Sequence, residues 1–526
     1  MKLDNLIRDS IDNLLSFQSL KIDPREVDAM VLRTFRYPNY EDYVKLGIIN
    51  YHLGRLALSS FCFLEGMRHD NEGHNLLSKR YGDIVAYHLI VIMQSYSIPI
   101  PAMFRKYLSR LDDMVKKSGL SVLSDIVVEN EWDIFETFSN KSRFEHAFHS
   151  QQDDVSIYYH TVDQVMVSMT ILRFGSDYVI IDCGSYVDSL GNEKKLDHLD
   201  EVINTVVGLE SRCLGVIVTH AHMDHYGSLS ELYKLFGDSI PVMMTDITYQ
   251  LIRRVNGGFA YGFLDKLVRI IQINERHRLT DDIELELFEA GHIPGSVGVL
   301  IEAKGKRYFH SGDFSMSPQT YSSPNRFEQV GRVDVLITET TYGSTSAEFV
   351  PIELKRHIMI EISRLFNDQD WKVLYPVFAI GRAQEVMNTL TQDQSLFKEV
   401  FVGGMVKDIA NYFCNKLNYE LDVGFFRYMD EYDGFDFDSG NLYLASSGML
   451  QNGTTSSYIL NKLKGSSSPF VLIKTGYITS GMLRGIEGVP IIDMSMSAHA
   501  SRNQILRLIN SLAPSVVVEI HGVGLE

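Results

Sequence analysis

The chain has 526 residues, 45% hydrophobic and 22% charged, which is ordinary globular composition and enough for more than one domain with a sizeable core. Its formal net charge of −18 argues against a broad basic surface that would hold duplex nucleic acid nonspecifically, while a local metal-bearing cleft stays compatible with a polyanionic substrate. Cys62, Cys183, Cys213 and Cys414 are scattered with no CxxC pair, the acidic start MKLDNLIRDSIDNLL is not a signal peptide, and no long apolar run suggests a membrane span, so a cytoplasmic location is expected.

Residues 1–150 read as a helical domain: apolar residues recur at three and four, and strand-like alternation is weak. Within it, YVKLGIINYHLGRLALSSFCF resembles one tetratricopeptide unit. Tyr43, Leu46, Gly47, Gly54, Ser59 and Phe63 take the aromatic, Leu-Gly, turn Gly, small-residue and Phe positions. Asn50 stands at the usual Tyr place and Asn71 at the usual Pro place, and no second clear unit follows. From about Val155 the texture changes. VSIYYH, MVSMTILRF, YVIIDCG and CLGVIVTH are β-branched and aromatic runs with short polar breaks, the pattern of strands. A helix follows with Leu229, Leu232, Tyr233 and Phe236 on one face. Strands and helices alternate to about residue 345, a different α/β stretch runs to about 480, and PIIDMSMSAH and SVVVEIHG return to buried strands.

The chemistry concentrates in IVTHAHMDHYG, Ile217–Gly227. The histidines sit at the C-terminal end of a buried strand, where α/β sheets place ligand sites. His220 and His222 are two apart and point the same way in extended chain, so both can reach one ion. Asp224 and His225 lie where the chain turns into a helix and can serve a second ion. Imidazole and carboxylate suit zinc or a similar divalent metal. Further ligands are offered by His292 in EAGHIPGSVG, by Asp313 in YFHSGDFS, whose carboxylate can bridge two cations, and by His521 in VVVEIHG.

HxHxDH, then a Gly-flanked His, then an Asp after a strand, resembles the metallo-β-lactamase fold, and Asp182 in IIDCG matches that family's structural Asp. The later motifs LITETTYGS, VLYPVFAIGRAQEV, LASSGML, MSMSAHAS and VEIHG resemble the β-CASP nucleases, over about residues 155–526 and in the expected order. The resemblance implies an αββα metallo-β-lactamase sandwich with an inserted α/β β-CASP domain beside the all-α N-terminal domain. Its parts would be 151–345 and 481–526 for the sandwich and 346–480 for the insertion. It implies two Zn²⁺ per chain: His220, His222 and His292 on one, Asp224, His225 and His521 on the other, and Asp313 bridging. Asp224, Glu339 and His499 are the implied catalytic residues, with Glu339 orienting His499, which donates a proton to the leaving oxygen.

Arg382 carries a fork donor suited to phosphate, and Gln384 and Ser447 are further substrate-contact candidates that could hydrogen-bond backbone or sugar, with Lys474 and Arg484 behind them. His521 favours RNA, since in this family a His at the last motif goes with RNA processing and the DNA-repair branch usually has Val there. The expected activity is hydrolysis of single-stranded RNA. A DNA nuclease, a small-molecule hydrolase of the same fold, and a scaffold acting through the helical domain are the rival readings. Glu339, GRAQE and His499 count against the small-molecule hydrolase, and the complete ligand set counts against the scaffold. A protein partner for the helical domain and self-association both stay open. RNase J-like dimerisation through a C-terminal domain is in doubt, because the chain stops five residues after His521.

Overall fold

The structure is a computed structural model that describes residues 22–68, 82–98, 100, 104, 155–159 and most of 167–525. Breaks in the last range fall at 189, 197–198, 201–202, 205–210, 257–260, 344–350, 394–398, 430–441, 467, 479–482, 484–485, 487 and 523–524.

The chain begins with helices α1 (Pro24–Arg36), α2 (Tyr40–His52), α3 (Leu56–Arg68) and α4 (Gly82–Ser95). Asp23 starts α1 by accepting the amide of Arg25 at 2.9 Å, with Pro24 in the first turn where its missing N–H is harmless. The residues singled out as repeat-like make a close helix crossing. A Cβ on Gly47 would lie 2.5 Å from the Phe63 ring, and Ser59 Oγ donates to Gly47 O at 2.7 Å. Asn71 and the remainder of the expected domain, 105–150, lie outside the described residues.

The first sheet holds β1 (Val155–Tyr159), β2 (Thr170–Phe174) and β3 (Asp177–Ile181). After a hairpin of β4 (Ser185–Val187) and β5 (Glu193–Lys195) come β6 (Arg212–Ile217), β7 (Val242–Met244) and β8 (Val268–Ile270), giving the order β1-β2-β3-β6-β7-β8. Helices α5 (Met223–Tyr226), α6 (Leu229–Phe236) and α7 (Asp246–Val255) follow β6 and β7. The second sheet is β9 (Arg276–Arg278), β10 (Ile283–Glu289), β11 (Val297–Ala303), β12 (Lys306–His310) and β13 (Val335–Glu339), closed by a last strand from the chain's end.

Strand alternation builds the layers. Leu172, Val179, Ile181 and Ile217 meet Leu285, Val299, Ile301 and Ile337 between the two sheets. Their sequence neighbours Ile171, Ile180 and Val216 face outward to Leu229, Leu232, Leu251 and Ile252 of α6 and α7. On the far side Leu300, Phe309 and Leu336 face the last helix of the chain. This is an αββα sandwich, as expected.

The third sheet is wholly parallel. It comprises α8 (Ile352–Asp368), β14 (Lys372–Pro376), α9 (Arg382–Leu390), β15 (Val400–Gly403), α10 (Val406–Leu417), β16 (Arg427–Tyr428), β17 (Leu442–Ala445), α11 (Thr455–Lys464), β18 (Phe470–Lys474) and β19 (Ile491–Asp493), with strand order β16-β15-β17-β14-β18-β19. The chain then re-enters the sandwich with α12 (Arg502–Leu512) and β20 (Val516–Ile520), which pairs parallel with β13. The return therefore falls after residue 493, not near 480: β19 pairs with β18 through Leu472↔Ile491 and its neighbours, so PIID belongs to the inserted unit. A buried apolar strand carries no sign of which sheet it will join.

The N-terminal helices are not a separate body. Val27, Leu58 and Ile90 share one apolar cluster with Ile358, Ile362 and Phe366 of α8 and with Val373 and Val402 of the third sheet. Phe35 meets Phe366 edge-on at 6.1 Å, Tyr96 stacks on His357 at 4.0 Å, and Arg36 lies over Trp371 at 4.8 Å. Among the described residues no helix is long and apolar enough to cross a membrane.

Candidate active site

The site forms where β3, β6, β12, β13 and β20 end together. Asp182, one residue past β3, adopts a left-handed φ of 62° and is fully buried. Its carboxylate accepts the Thr219 amide at 2.7 Å, the Thr219 hydroxyl at 2.8 Å and His225 Nδ1 at 2.7 Å. The backbone turn that carries Asp224 passes so close to Gly184 that a Cβ there would lie 1.7 Å from Asp224 O. Asp182 is thus a brace that aims the HAHMDH segment, in keeping with its structural role in the sequence reading.

His220, His222 and His292 converge. His222 Nδ1 lies 3.1 Å from His220 Nε2 and 3.0 Å from His292 Nε2. The ring of His292 is held from behind, its Nδ1 donating to Ala498 O at 2.9 Å. Burial holds all three imidazoles below their usual range, with His222 at about 4, and the neighbouring histidines press His220 and His292 further down. Three neutral nitrogens facing one point are a ligand set.

The second group mixes imidazoles with carboxylates. His521 Nε2 lies 3.2 Å from Asp224 Oδ2, and His225 Nε2 lies 3.2 Å from Asp313 Oδ2 and 4.0 Å from Asp224 Oδ2. Asp313 is 2% exposed and also stands 3.7 Å from His220 Nε2, so its carboxylate touches both groups. Burial opposes charge on His225, but Asp313, Asp182 and Asp224 outweigh it and hold the imidazole well above its usual range. Burial likewise opposes charge on Asp313, and His521 and His225 overcome it and draw the carboxyl well below its usual range.

His499 stands between the groups, with a ring nitrogen within 4.8 Å of donor atoms of His292 and Asp313. Its Nδ1 is 2.8 Å from Glu339 Oε2 and 3.7 Å from Asp313 Oδ2. Glu339 is fully buried at the end of β13, and its other oxygen accepts the Phe314 amide at 2.8 Å. Burial works against a charged His499, but Glu339 and Asp313 raise it to about 9.

The loops following β14, β15, β17 and β18, at the carboxyl ends of the parallel strands, roof a cavity of about 470 Å³ over these residues. Tyr186, Tyr342, Phe378 and Tyr477 give it aromatic walls, and Ser447 lines it. Arg382 begins α9 at the cavity, and its Nε and one terminal nitrogen are buried without a hydrogen-bond partner. Burial lowers its pKa to about 10.

Gln384 does not serve the cleft. Its Oε1 accepts the Gly381 amide at 2.8 Å, its Nε2 donates to Ala379 O at 3.0 Å, and it is fully buried, so it braces the loop before α9. Lys474 is paired with Asp493 at 2.9 Å, and Arg484 lies outside the described residues. Sequence reading passed over Thr219, Ala498 and Thr341, which hold the ligands from behind. All three lie inside quoted motifs, but nothing in their residue types sets them apart there.

The donor set fits a divalent transition metal. His225 Nε2 and Asp313 Oδ1 are buried with no hydrogen-bond partner, as ligand atoms facing a cation would be. The donors gather into sets whose atoms lie within 4.8 Å of one another, among them His220–His222–His292 and Asp224–His225–His521.

The family described as "Metallo-beta-lactamase superfamily" matches residues 162–347, and the one described as "Zn-dependent metallo-hydrolase RNA specificity domain" matches 488–523. An "RNase J-like protein" of Methanocaldococcus jannaschii is 27% identical over 402 residues, covering 68% of this chain and 90% of its own. "Integrator complex subunit 11" of Danio rerio is 24% identical over 406 residues, covering 68% of this chain and 67% of its own. "Endoribonuclease ysh-1" of Neurospora crassa is 26% identical over 447 residues, covering 68% of this chain and 51% of its own, so this chain spans only about half that relative's length. The chain thus carries a stretch that matches the metallo-β-lactamase superfamily over residues 162–347 and one that matches a zinc-dependent metallo-hydrolase RNA specificity domain over 488–523, with the converging donor sets inside and beside them.

Proposed function

We propose that this protein is a two-zinc ribonuclease that hydrolyses phosphodiester bonds of single-stranded RNA. The observation that carries the reading is the placement of the His499–Glu339 pair, at 2.8 Å, beside two converging donor sets under a cavity lined by Arg382, two of whose buried nitrogens have no hydrogen-bond partner. A small-ester hydrolase has no need of a buried guanidinium facing the site, whereas a phosphodiester does. The printed names of the relatives and the RNA-specificity description of residues 488–523 support the same substrate.

His220, His222 and His292 would hold one ion, Asp224, His225 and His521 the other, and Asp313 would lie between them. Bound zinc supplies an activated water at neutral pH and stabilises charge on phosphoryl oxygens. The chain's own residues do the rest. Asp182 and the Ala498 carbonyl fix the rings of His225 and His292. Arg382 would offer N–H donors to non-bridging phosphate oxygens. Glu339 would accept a hydrogen bond from Nδ1–H of His499, so that the imidazolium gives its Nε2 proton to the departing oxygen and becomes the neutral ring. Tyr186, Tyr342, Phe378 and Tyr477 present ring faces on which unpaired bases can stack.

The test is incubation of metal-replete protein with end-labelled single-stranded RNA carrying a 5′-phosphate, 5′-triphosphate or 5′-hydroxyl, and with DNA of the same sequence. Chelator-sensitive products from RNA, formed much faster than from DNA, are expected. Equal rates or a preference for DNA would overturn the substrate assignment.

A further inference from the structure

We propose that Thr341 is a positioning residue, whose single hydroxyl couples the Glu339–His499 pair to the metal ligand His521. The proposal deepens the nuclease reading and rests on it for the ligand role of His521.

The geometry begins with two neighbouring strand ends. β13 and β20 pair in parallel with Glu339 opposite Ile520, so the residues just beyond them meet. Thr340 N donates to Ile520 O at 2.8 Å. The approach requires Gly522, because a Cβ there would lie 2.0 Å from Thr340 O and 2.5 Å from Thr341 N. His521 itself adopts a left-handed φ of 51°, uncommon for a side chain of its size.

Thr341 Oγ1 then faces four groups: Glu339 Oε2 at 2.6 Å, His521 O at 3.1 Å, His521 Nδ1 at 3.2 Å and His499 Nδ1 at 3.4 Å. A hydroxyl has one proton to give and two lone pairs. The carboxylate is the nearest and strongest acceptor and takes the proton. The lone pairs are left to receive Nδ1–H of His521. That bond fixes the tautomer and leaves Nε2, 3.2 Å from Asp224 Oδ2, with its lone pair for the metal.

The same arrangement occurs on the other side of the site. Thr219 Oγ1 donates to Asp182 Oδ2 at 2.8 Å and lies 3.1 Å from His220 Nδ1 and 3.4 Å from His225 Nδ1. Asp182 in turn holds His225 at 2.7 Å, as Glu339 holds His499 at 2.8 Å. In each case a threonine hydroxyl is donated to a buried carboxylate, which orients one histidine, and is left to accept from a second histidine that is a ligand. Two unrelated segments of chain arrive at one device, and Thr341 is the member that serves the catalytic pair.

Thr341→Val removes the hydroxyl at nearly constant shape, and Thr341→Ser restores it. Zinc affinity of the full chain is measured by competition with a chromophoric chelator, single-turnover and steady-state cleavage with single-stranded RNA, and folding by melting temperature. Thr341→Val is expected to weaken one of the two bound zinc ions by about 10–100-fold and to lower kcat by a similar factor with KM unchanged, and Thr341→Ser to recover both. If Thr341→Val melts well below the wild type, Thr341→Ala takes its place with the same expectation. Wild-type zinc affinity in the hydroxyl-free variant overturns the proposal, whether or not kcat falls. The zinc measurement needs no substrate, so an outright failure to cleave RNA would sink the nuclease reading while leaving this inference decided on its own terms.

Discussion

His499 Nδ1 and Glu339 Oε2 lie 2.8 Å apart, joining a half-open ring at the cleft to a carboxylate with no solvent exposure. The buried charge is accepted by an imidazole that Glu339 and Asp313 raise to about 9 against the pull of burial. Held by Glu339, His499 is placed to give a proton to a leaving oxygen. His499→Ala is expected to keep both metals and nearly normal RNA binding while cleavage falls by about 10²–10⁴, the usual worth of a positioned acid. Single-turnover rates, metal content and melting temperature on one preparation check this. A folded, metal-replete variant with wild-type rate would remove His499 from the mechanism.

His222 differs because its Nδ1 sits about 3 Å from both His220 Nε2 and His292 Nε2, at the centre of a ligand set. Elemental analysis of the wild type purified without chelator should give about two zinc ions per chain, the count that six terminal ligands and one bridge support. His222→Ala should lose metal together with activity. A variant that stays fully metal-loaded would show that the three histidines are not the site.

Arg382 gives a graded prediction. Its buried Nε and terminal nitrogen have no partner, so a phosphate oxygen would be their first. A hydrogen bond to a charged group contributes about 1.5–3 kcal/mol, so Arg382→Ala should lower kcat/KM by roughly 10–100-fold. Arg382→Lys should recover only part, since an ammonium cannot present two parallel donors. Unchanged kcat/KM in both variants would mean that the guanidinium only packs beneath the lid.

The candidate metal-binding residues stood out in the sequence because each lies in a short local pattern, HAHMDH above all, and because divalent metals admit few donor types. His499 and Glu339 were legible only through the order of motifs along the chain, since 160 residues separate them. What holds the site from behind was not. Threonine is common everywhere, so nothing marks Thr219 or Thr341, and the Ala498 carbonyl that orients His292 has no side-chain signature at all. Gln384 was open to either backbone or substrate contact in the sequence, because a polar residue in a turn can do both, and the fold shows both its amide atoms on backbone. Strand texture marked the individual strands, and the sandwich followed from the family resemblance. The return point of the insertion did not, because pairing of β19 with β18 is a long-range choice.

The helical segment bears on stability before it bears on partners. Phe366, Ile358 and Ile362 of α8 are buried partly by α1, α3 and α4. A chain starting near residue 155 would expose that face and is expected to aggregate or to melt well below the full-length protein. Phe63→Ala tests the same point inside the intact chain, with an expected loss of about 3–5 kcal/mol from the cavity it leaves. A soluble, active truncated enzyme of wild-type melting temperature would instead assign the helices to partner binding alone.

His88 gives the helical segment its own dependence on pH. The ring is 2% exposed, with Tyr51 edge-on at 4.7 Å, Phe63 at 5.2 Å and Tyr87 at 5.3 Å, and its Nδ1 donates to Ile84 O at 2.7 Å. Burial lowers its pKa to about 4 from 6.5. The folded state therefore refuses a proton that the unfolded chain accepts. Above the unfolded value the residue has no effect on the pH slope. As pH falls from about 6.5 to about 4 the unfolded chain gains the proton first, and stability declines by about 1.4 kcal/mol per unit, on the order of 3 kcal/mol in all. Below about 4 both states are protonated and the slope ends. His88→Asn retains a donor for Ile84 O but cannot titrate. Its stability is expected to be lower at neutral pH and to fall less steeply between pH 7 and pH 5, by about 2 kcal/mol in the comparison of the two slopes. Denaturant midpoints at the two pH values measure this, and parallel slopes in wild type and variant would mean that His88 is not a buried neutral ring.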